Sequence, residues 1–167
     1  MASPASDEIV LVVDGSNRPV GAARRHRMRT ENLPHRATYI FVLDADGRIL
    51  VQRRTDTKDL FPGYYDLAAG GVVAAGESYE ECALREAEEE LGIRDTPLAP
   101  RFDFYYADDR TRCFGRVFVC RHDGPFVLQE EEVAAVAFHS PDEIARGELA
   151  PVTPDSMVAF RRLCQTA

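Results

Sequence analysis

The chain has 167 residues, 45% of them hydrophobic, with 28 Asp and Glu against 20 Lys and Arg for a net charge of −8. That length and apolar share suit one domain (1–167) with a proper core and leave no room for a second catalytic module. The acidic balance argues against nucleic-acid binding, which rests chiefly on accumulated cations, and no stretch approaches the ~18 apolar residues of a membrane span, so a soluble cytoplasmic protein is expected.

In chain order, residues 1–6 read as a mobile tail. The apolar run Glu8 to Val13, the turn chemistry of Asp14-Gly15-Ser16-Asn17 and the following Pro19-Val20-Gly21 predict a small N-terminal hairpin. It forms an extension over about 7–34 and offers the surface through which a homodimer would form. Arg24-Arg25-His26-Arg27-Met28-Arg29 is the most basic segment. It is read as a solvated helix whose charge faces the acidic body rather than as an RNA-binding patch.

Ala37 to Leu43 and Arg48 to Arg53 flank Asp44-Ala45-Asp46-Gly47, a hairpin signal between two central strands. Arg53, Arg54 and Lys58 are candidates for contacting substrate phosphates, with strand alternation aiming one of the two arginines inward. A loop through Phe61-Pro62-Gly63 then leads to a short strand near Tyr64 to Leu67, which delivers the chain to Gly70-Gly71.

From Gly71 to Ile93 the sequence reads GVVAAGESYEECALREAEEELGI. Ser78 and Glu81 form a capping box, so a helix should start near Tyr79 and stop at Gly92. On it Glu86, Glu89 and Glu90 stand at i, i+3 and i+4, beside an apolar stripe of Ala83, Leu84, Ala87 and Leu91. Like charges at such spacings cost about 0.2–0.5 kcal/mol per pair, and more on a desolvated edge, which a divalent cation relieves. Carboxylate oxygens select hard ions. A few carboxylates, waters and a phosphate are how Mg²⁺ or Mn²⁺ is held, whereas calcium sites take more oxygens, from a flexible loop. A solvated acidic helix is the bland alternative.

Beyond the helix, Phe102 to Tyr106 and Cys113 to Arg121 predict an antiparallel pair joined by the polar tip Ala107 to Arg112. The aromatics Phe102, Phe104, Tyr105, Tyr106, Phe114 and Phe118 are expected mostly in the core, with one or two free to stack on a base. A second acidic run, Glu130-Glu131-Glu132, precedes a strand over Ala135 to His139 and short helices after Ser140 and Pro154. Cys82, Cys113, Cys120 and Cys164 lack a C-x-x-C pair and read as reduced small hydrophobes rather than zinc ligands.

Gly71, Glu77, Arg85, Glu86, Ala87, Glu89, Glu90, Gly92 and Ile93 match the pattern G-x5-E-x7-R-E-U-x-E-E-x-G-U, with U apolar, over all 23 positions. On these residues the chain resembles the Nudix family. The resemblance implies an α/β/α sandwich with a mixed central sheet, and hydrolysis of a nucleoside diphosphate linked to another moiety X, with Mg²⁺ or Mn²⁺. It further implies Glu86 and Glu90 as direct metal ligands and Glu89 as a further ligand or water-mediated contact. By the same resemblance the backbone carbonyl of Gly71 or Gly70 is expected to complete the sphere, and Arg85 to pair with a box glutamate and hold its rotamer for the metal. The resemblance offers Glu89 or one of Glu130, Glu131 and Glu132 as the general base.

Outside that box, Gln52-Arg53-Arg54, Lys58, Phe61-Pro62-Gly63 and His35 resemble the isopentenyl-diphosphate isomerase-like branch. Such isomerases carry a catalytic cysteine and, two positions later, a metal-binding histidine. An ungapped count from Phe61-Pro62-Gly63 to Glu77 puts Gly70 and Val72 in those places. An isomerase-like hydrolase is therefore expected rather than an isomerase. A non-catalytic ligand-binding module is a further alternative, although such proteins lose box glutamates and this chain keeps them. RNA decapping fits poorly with the acidic charge.

Overall fold

The structure, a computed structural model, describes residues 7–166; the expected tail over 1–6 lies outside them. β1 (Ile9–Val13) and β2 (Pro19–Arg24) form the predicted hairpin, followed by the short helix α1 (Arg25–Thr30). The long strands β3 (His35–Leu43) and β4 (Ile49–Arg54) come next, then the two-residue β5 (Tyr65–Asp66) and the helix α2 (Tyr79–Leu91). β6 (Ala99–Ala107), β7 (Arg112–Arg121), β8 (Val133–His139), α3 (Pro141–Ala145) and α4 (Pro154–Gln165) complete the order.

The sheet is mixed. β3 pairs in parallel with β7 from His35↔Cys113 to Leu43↔Arg121, while β6 pairs antiparallel with β7 and β8 antiparallel with β4. β3 is buried on both faces, which explains its unbroken apolar reading. Ile40 and Val42 face α2, where they pack with Cys82, Ala83, Ala87 and Leu91. Tyr39 and Phe41 face the other way, onto Ile144 of α3 and Ala159, Phe160 and Leu163 of α4. Helices therefore cover both sides of the sheet, as the α/β/α expectation has it.

One feature of the hairpin signal at Asp44 to Gly47 makes the site. β3 and β4 meet at Leu43↔Ile49 and then part, β3 toward β7 and β4 toward β8. The connection from β5 to α2 runs along β3 in the space between: Ile40 N–H donates to the Ala69 carbonyl and Thr38 N–H to the Gly71 carbonyl.

α2 has the expected ends. The Ser78 hydroxyl accepts the Glu81 N–H at 3.1 Å, and Gly92 closes the helix at φ 69°. Its buried side differs from the predicted stripe: Leu84 is 57% exposed, and Glu90, at 6%, occupies the inward angle instead. The second-half aromatics divide as well. Phe104 and Phe118 are buried, whereas Tyr105 is 52% exposed and packs on Phe114. Among the described residues no helix is long and apolar enough to cross a membrane. Cys82, Cys113 and Cys120 are buried free thiols and Cys164 is an exposed one.

Candidate active site

A cleft of about 220 Å³ opens where β3 and β4 part. Its floor is the 68–72 backbone, one wall is the acidic edge of α2, and facing walls come from α1 and the loop after β4.

Gly70 and Gly71 let that floor pass between β3 and α2. A Cβ at Gly70 would stand 2.0 Å from the Thr38 carbonyl oxygen, and its φ of 139° excludes L side chains in any case. A Cβ at Gly71 would stand 2.6 Å from Glu86 Oε1, so the Glu86 carboxylate lies directly over this glycine.

Glu90 is held against the same stretch, accepting long bonds of 3.4 Å from the Gly70 N–H and from Gln52 Nε2. Burial and the nearby Glu86 push its carboxyl up to about 8. Burial also raises Glu86, with Glu89 adding to the effect against the pull of Arg85. Glu89 is 47% exposed in its side chain and reaches Arg85 at 3.1 Å.

Arg85 organises this edge. Nε and Nη2 donate to the two oxygens of Glu77 at 2.7 and 3.0 Å, while Nη1 donates to Glu86 at 2.9 Å and Glu89 at 3.1 Å. Glu77 also accepts the Ala74 N–H at 3.0 Å, which ties the loop ahead of α2 to the helix.

Whether these residues suit a divalent ion is decided by the donors. The buried Glu90, with no cation in hydrogen-bond reach among the described residues, and the partly buried Glu86 stand against a glycine backbone as an oxygen-only set that a hard cation would satisfy. Among the described residues no three metal-ligating side chains converge, and Arg85 holds both Glu86 and Glu89. The Gly71 carbonyl is engaged by the Thr38 N–H at 2.9 Å, whereas the Gly70 carbonyl accepts no hydrogen bond among the described residues. Of the two backbone oxygens expected as ligands, Gly70 is the free one.

The structure sorts the other sequence candidates. Arg53 is exposed and turns away; Arg54, two positions from Gln52 on the same side, lines the cleft. The Arg54 guanidinium is engaged internally, by the Leu60 carbonyl at 2.8 and 3.1 Å and by Asp66 at 3.1 Å. Lys58 lines the cleft and is ion-paired with Glu132. Burial and the neighbouring Arg54 bring its ammonium down to about 8. Glu130 and Glu131 are exposed and lie outside the cleft, so Glu132 alone of the acidic run faces it.

The basic segment before β3 departs from expectation. Arg24 and Arg27 are solvated, but Arg25 and Arg29 turn into the cleft and share Asp59 Oδ2, at 3.1 and 3.3 Å. Their i, i+4 spacing around the buried Met28 was the available signal. The inner end of the cleft was also missed. His35 Nδ1 meets the Leu33 carbonyl at 2.9 Å, and burial depresses the ring to about 3, so it is neutral. The Tyr39 hydroxyl donates to Asp155 at 2.7 Å, and the second Asp155 oxygen is buried without a hydrogen-bond partner among the described residues. These residues come from elements far apart in the chain, and no local spacing marks them.

Comparison with known proteins agrees with this geometry. Residues 33–160 match the NUDIX domain model. The chain is 50% identical over 156 residues to the Nudix hydrolase YfcD of Escherichia coli K12, covering 93% of this chain and 86% of that protein. It is 42% identical over 159 residues to the Nudix hydrolase PA4841 of Pseudomonas aeruginosa, covering 94% of each. The crystal structure of DR0079 from Deinococcus radiodurans superimposes with a TM-score of 0.77 at 27% identity, covering 93% of this chain and 98% of that one. The chain belongs to the Nudix hydrolase family, enzymes that act on diphosphate bonds and generally use divalent metal ions.

Proposed function

We propose that this enzyme hydrolyses, with Mg²⁺ or Mn²⁺, the diphosphate of a nucleoside diphosphate linked to another group X. The observation that carries the reading is the Glu86 carboxylate over Gly71 beside the buried Glu90, in a cleft faced by cations on its other walls. Glu86, Glu90 and the Gly70 carbonyl would hold the metal, with Glu89 as the exposed further ligand. When bound, a divalent ion shields the phosphate charge and acidifies the attacking water.

The chain's own residues do the rest. Arg85 fixes the Glu86 and Glu89 rotamers, and its bidentate grip on Glu77 anchors it. Lys58 meets a phosphate and, in doing so, releases Glu132 to take the proton of the attacking water; Glu89 is the alternative base. Arg54 shapes the wall rather than reaching the substrate.

The isomerase alternative is disfavoured by the same floor. Gly70 has no space for the thiol that reaction needs, and Val72 is buried with Val10 and Met28. The binding-module alternative is disfavoured by the complete glutamate set. The free thiols suit a reducing cytoplasm. The exposed Ile9 and Val20 on the N-terminal hairpin offer a homodimer face, which Val20→Asp tests by its effect on the sedimentation coefficient.

Turnover in oxygen-18 water tests the chemistry. Label in a phosphate-bearing product supports attack at phosphorus by water; consumption of a diphosphate substrate without label contradicts it.

A further inference from the structure

Resting on that reading, a donor count separates the arginines of the cleft into two kinds. Arg85 and Arg54 have all three guanidinium nitrogens engaged by protein: Arg85 by Glu77, Glu86 and Glu89, and Arg54 by Leu60 and Asp66. Arg25 and Arg29 do not. A guanidinium carries five N–H donors. Arg25 uses Nε on Asp59 at 3.1 Å and Nη1 on Glu8 at 3.3 Å. Arg29 uses Nε on Asp59 at 3.3 Å and Nη1 on the Thr111 hydroxyl at 3.4 Å. All four contacts are at the long end for charged pairs, and both Nη2 groups are unengaged among the described residues.

These are not solvated side chains. Arg25 is 14% exposed and Arg29 17%, and both line the cleft. Removing two guanidiniums from bulk water is costly unless acceptors meet them. Here a single Asp59 oxygen serves both, and Glu8 meets Arg25 alone, at 3.3 Å. Burial opposes ionisation of Asp59, yet Arg25 and Arg29 outweigh it and hold that carboxyl well below its usual range. α1 lies ahead of residues 33–160, the part that matches the family domain, so this wall comes from outside that domain.

We infer that Arg25 and Arg29 form an anion subsite, built by the N-terminal extension, for an unesterified terminal phosphate of the substrate. A terminal phosphate carries about −1.5 to −2 charge and three acceptor oxygens, whereas a phosphate esterified on both sides carries one charge. Two guanidiniums with open forks match the former. The substrates favoured within the proposed class are therefore those whose X is hydrogen or phosphate, such as nucleoside di- and triphosphates, over sugar nucleotides and dinucleotides.

The test compares a nucleoside diphosphate with its terminal methyl ester, which keeps the diphosphate but loses the dianion, in the wild type and in Arg25→Gln, Arg29→Gln and the two lysine variants. The expected wild-type preference for the free phosphate is ~10- to 100-fold in kcat/KM, expressed in KM. Each glutamine variant should collapse that ratio toward unity, and each lysine variant should restore part of it. An unchanged ratio with both substrates slowed together would make the arginines structural and overturn the inference. Should a glutamine variant fail to fold, the lysine variants and the wild-type ratio still decide. Failure of the hydrolase reading is separately visible, as no turnover of either compound. In that event binding of inorganic phosphate to the metal-free protein, lost in the Arg25→Gln/Arg29→Gln double variant, supports the subsite, and no phosphate binding by the wild type overturns it.

Discussion

The Glu86 carboxylate lies so close over Gly71 that a Cβ there would stand 2.6 Å from Oε1. The obstructed atom is the end of a flexible side chain, and Gly71 has no left-handed φ, so Gly71→Ala should fold while pushing Glu86 out of place. Turnover should fall ~10- to 100-fold, with melting temperature little changed. Gly70→Ala is the contrasting case, because its Cβ meets the Thr38 backbone at 2.0 Å and its φ is 139°. A loss of ~2 kcal/mol or more in chemical denaturation is expected there.

Glu90→Gln and Glu86→Gln keep shape and remove charge. Each should cut turnover by ~10³ or more, equivalent to roughly 4 kcal/mol of transition-state stabilisation. Near-wild-type rates at saturating Mg²⁺ would show that these carboxylates do not serve a metal. Arg85→Lys should instead raise the metal concentration needed for half-maximal rate, since lysine cannot span Glu77 and Glu86 together.

In the acidic run, Glu132→Gln alone should slow turnover strongly, because Glu130 and Glu131 face solvent outside the cleft. Indifference to all three changes would leave Glu89 as the base.

His35 gives a pH signature in stability. Its ring titrates near 3 when folded against 6.5 ordinarily, chiefly through burial. Between those values the unfolded chain binds a proton that the native state does not. Stability therefore declines as pH falls through that window, at ~1.4 kcal/mol per pH unit from this group. Denaturation of the wild type and His35→Gln at pH 7 and pH 5 isolates the contribution. The variant should lose less on acidification, and equal losses would refute the assignment.

How much of this was legible depended on distance along the chain. The box carboxylates follow from one helical period and two caps, all local, and the N-terminal hairpin from turn chemistry at Asp14 to Asn17. Leu84 was misread for a physical reason: hydrophobicity alone assigns it inward, but it stands about 120° round the helix from Glu90, at the margin of the face that Cys82, Ala83, Ala87, Glu90 and Leu91 bury. Arg25 and Arg29 looked like a solvated basic helix until α1 docked on the loop carrying Asp59, about thirty residues on. Likewise nothing near Asp155 announces that it meets Tyr39, 116 positions away.

The central claim is tested most directly by phosphate or nucleotide release from nucleoside diphosphates and triphosphates, sugar nucleotides, dinucleotides and coenzyme A, with Mg²⁺ or Mn²⁺ and Glu90→Gln as control. The account predicts cleavage of one class by the wild type and its loss in the variant. Equal turnover by Glu90→Gln, or silence across the panel by a protein that binds the metal, would contradict it.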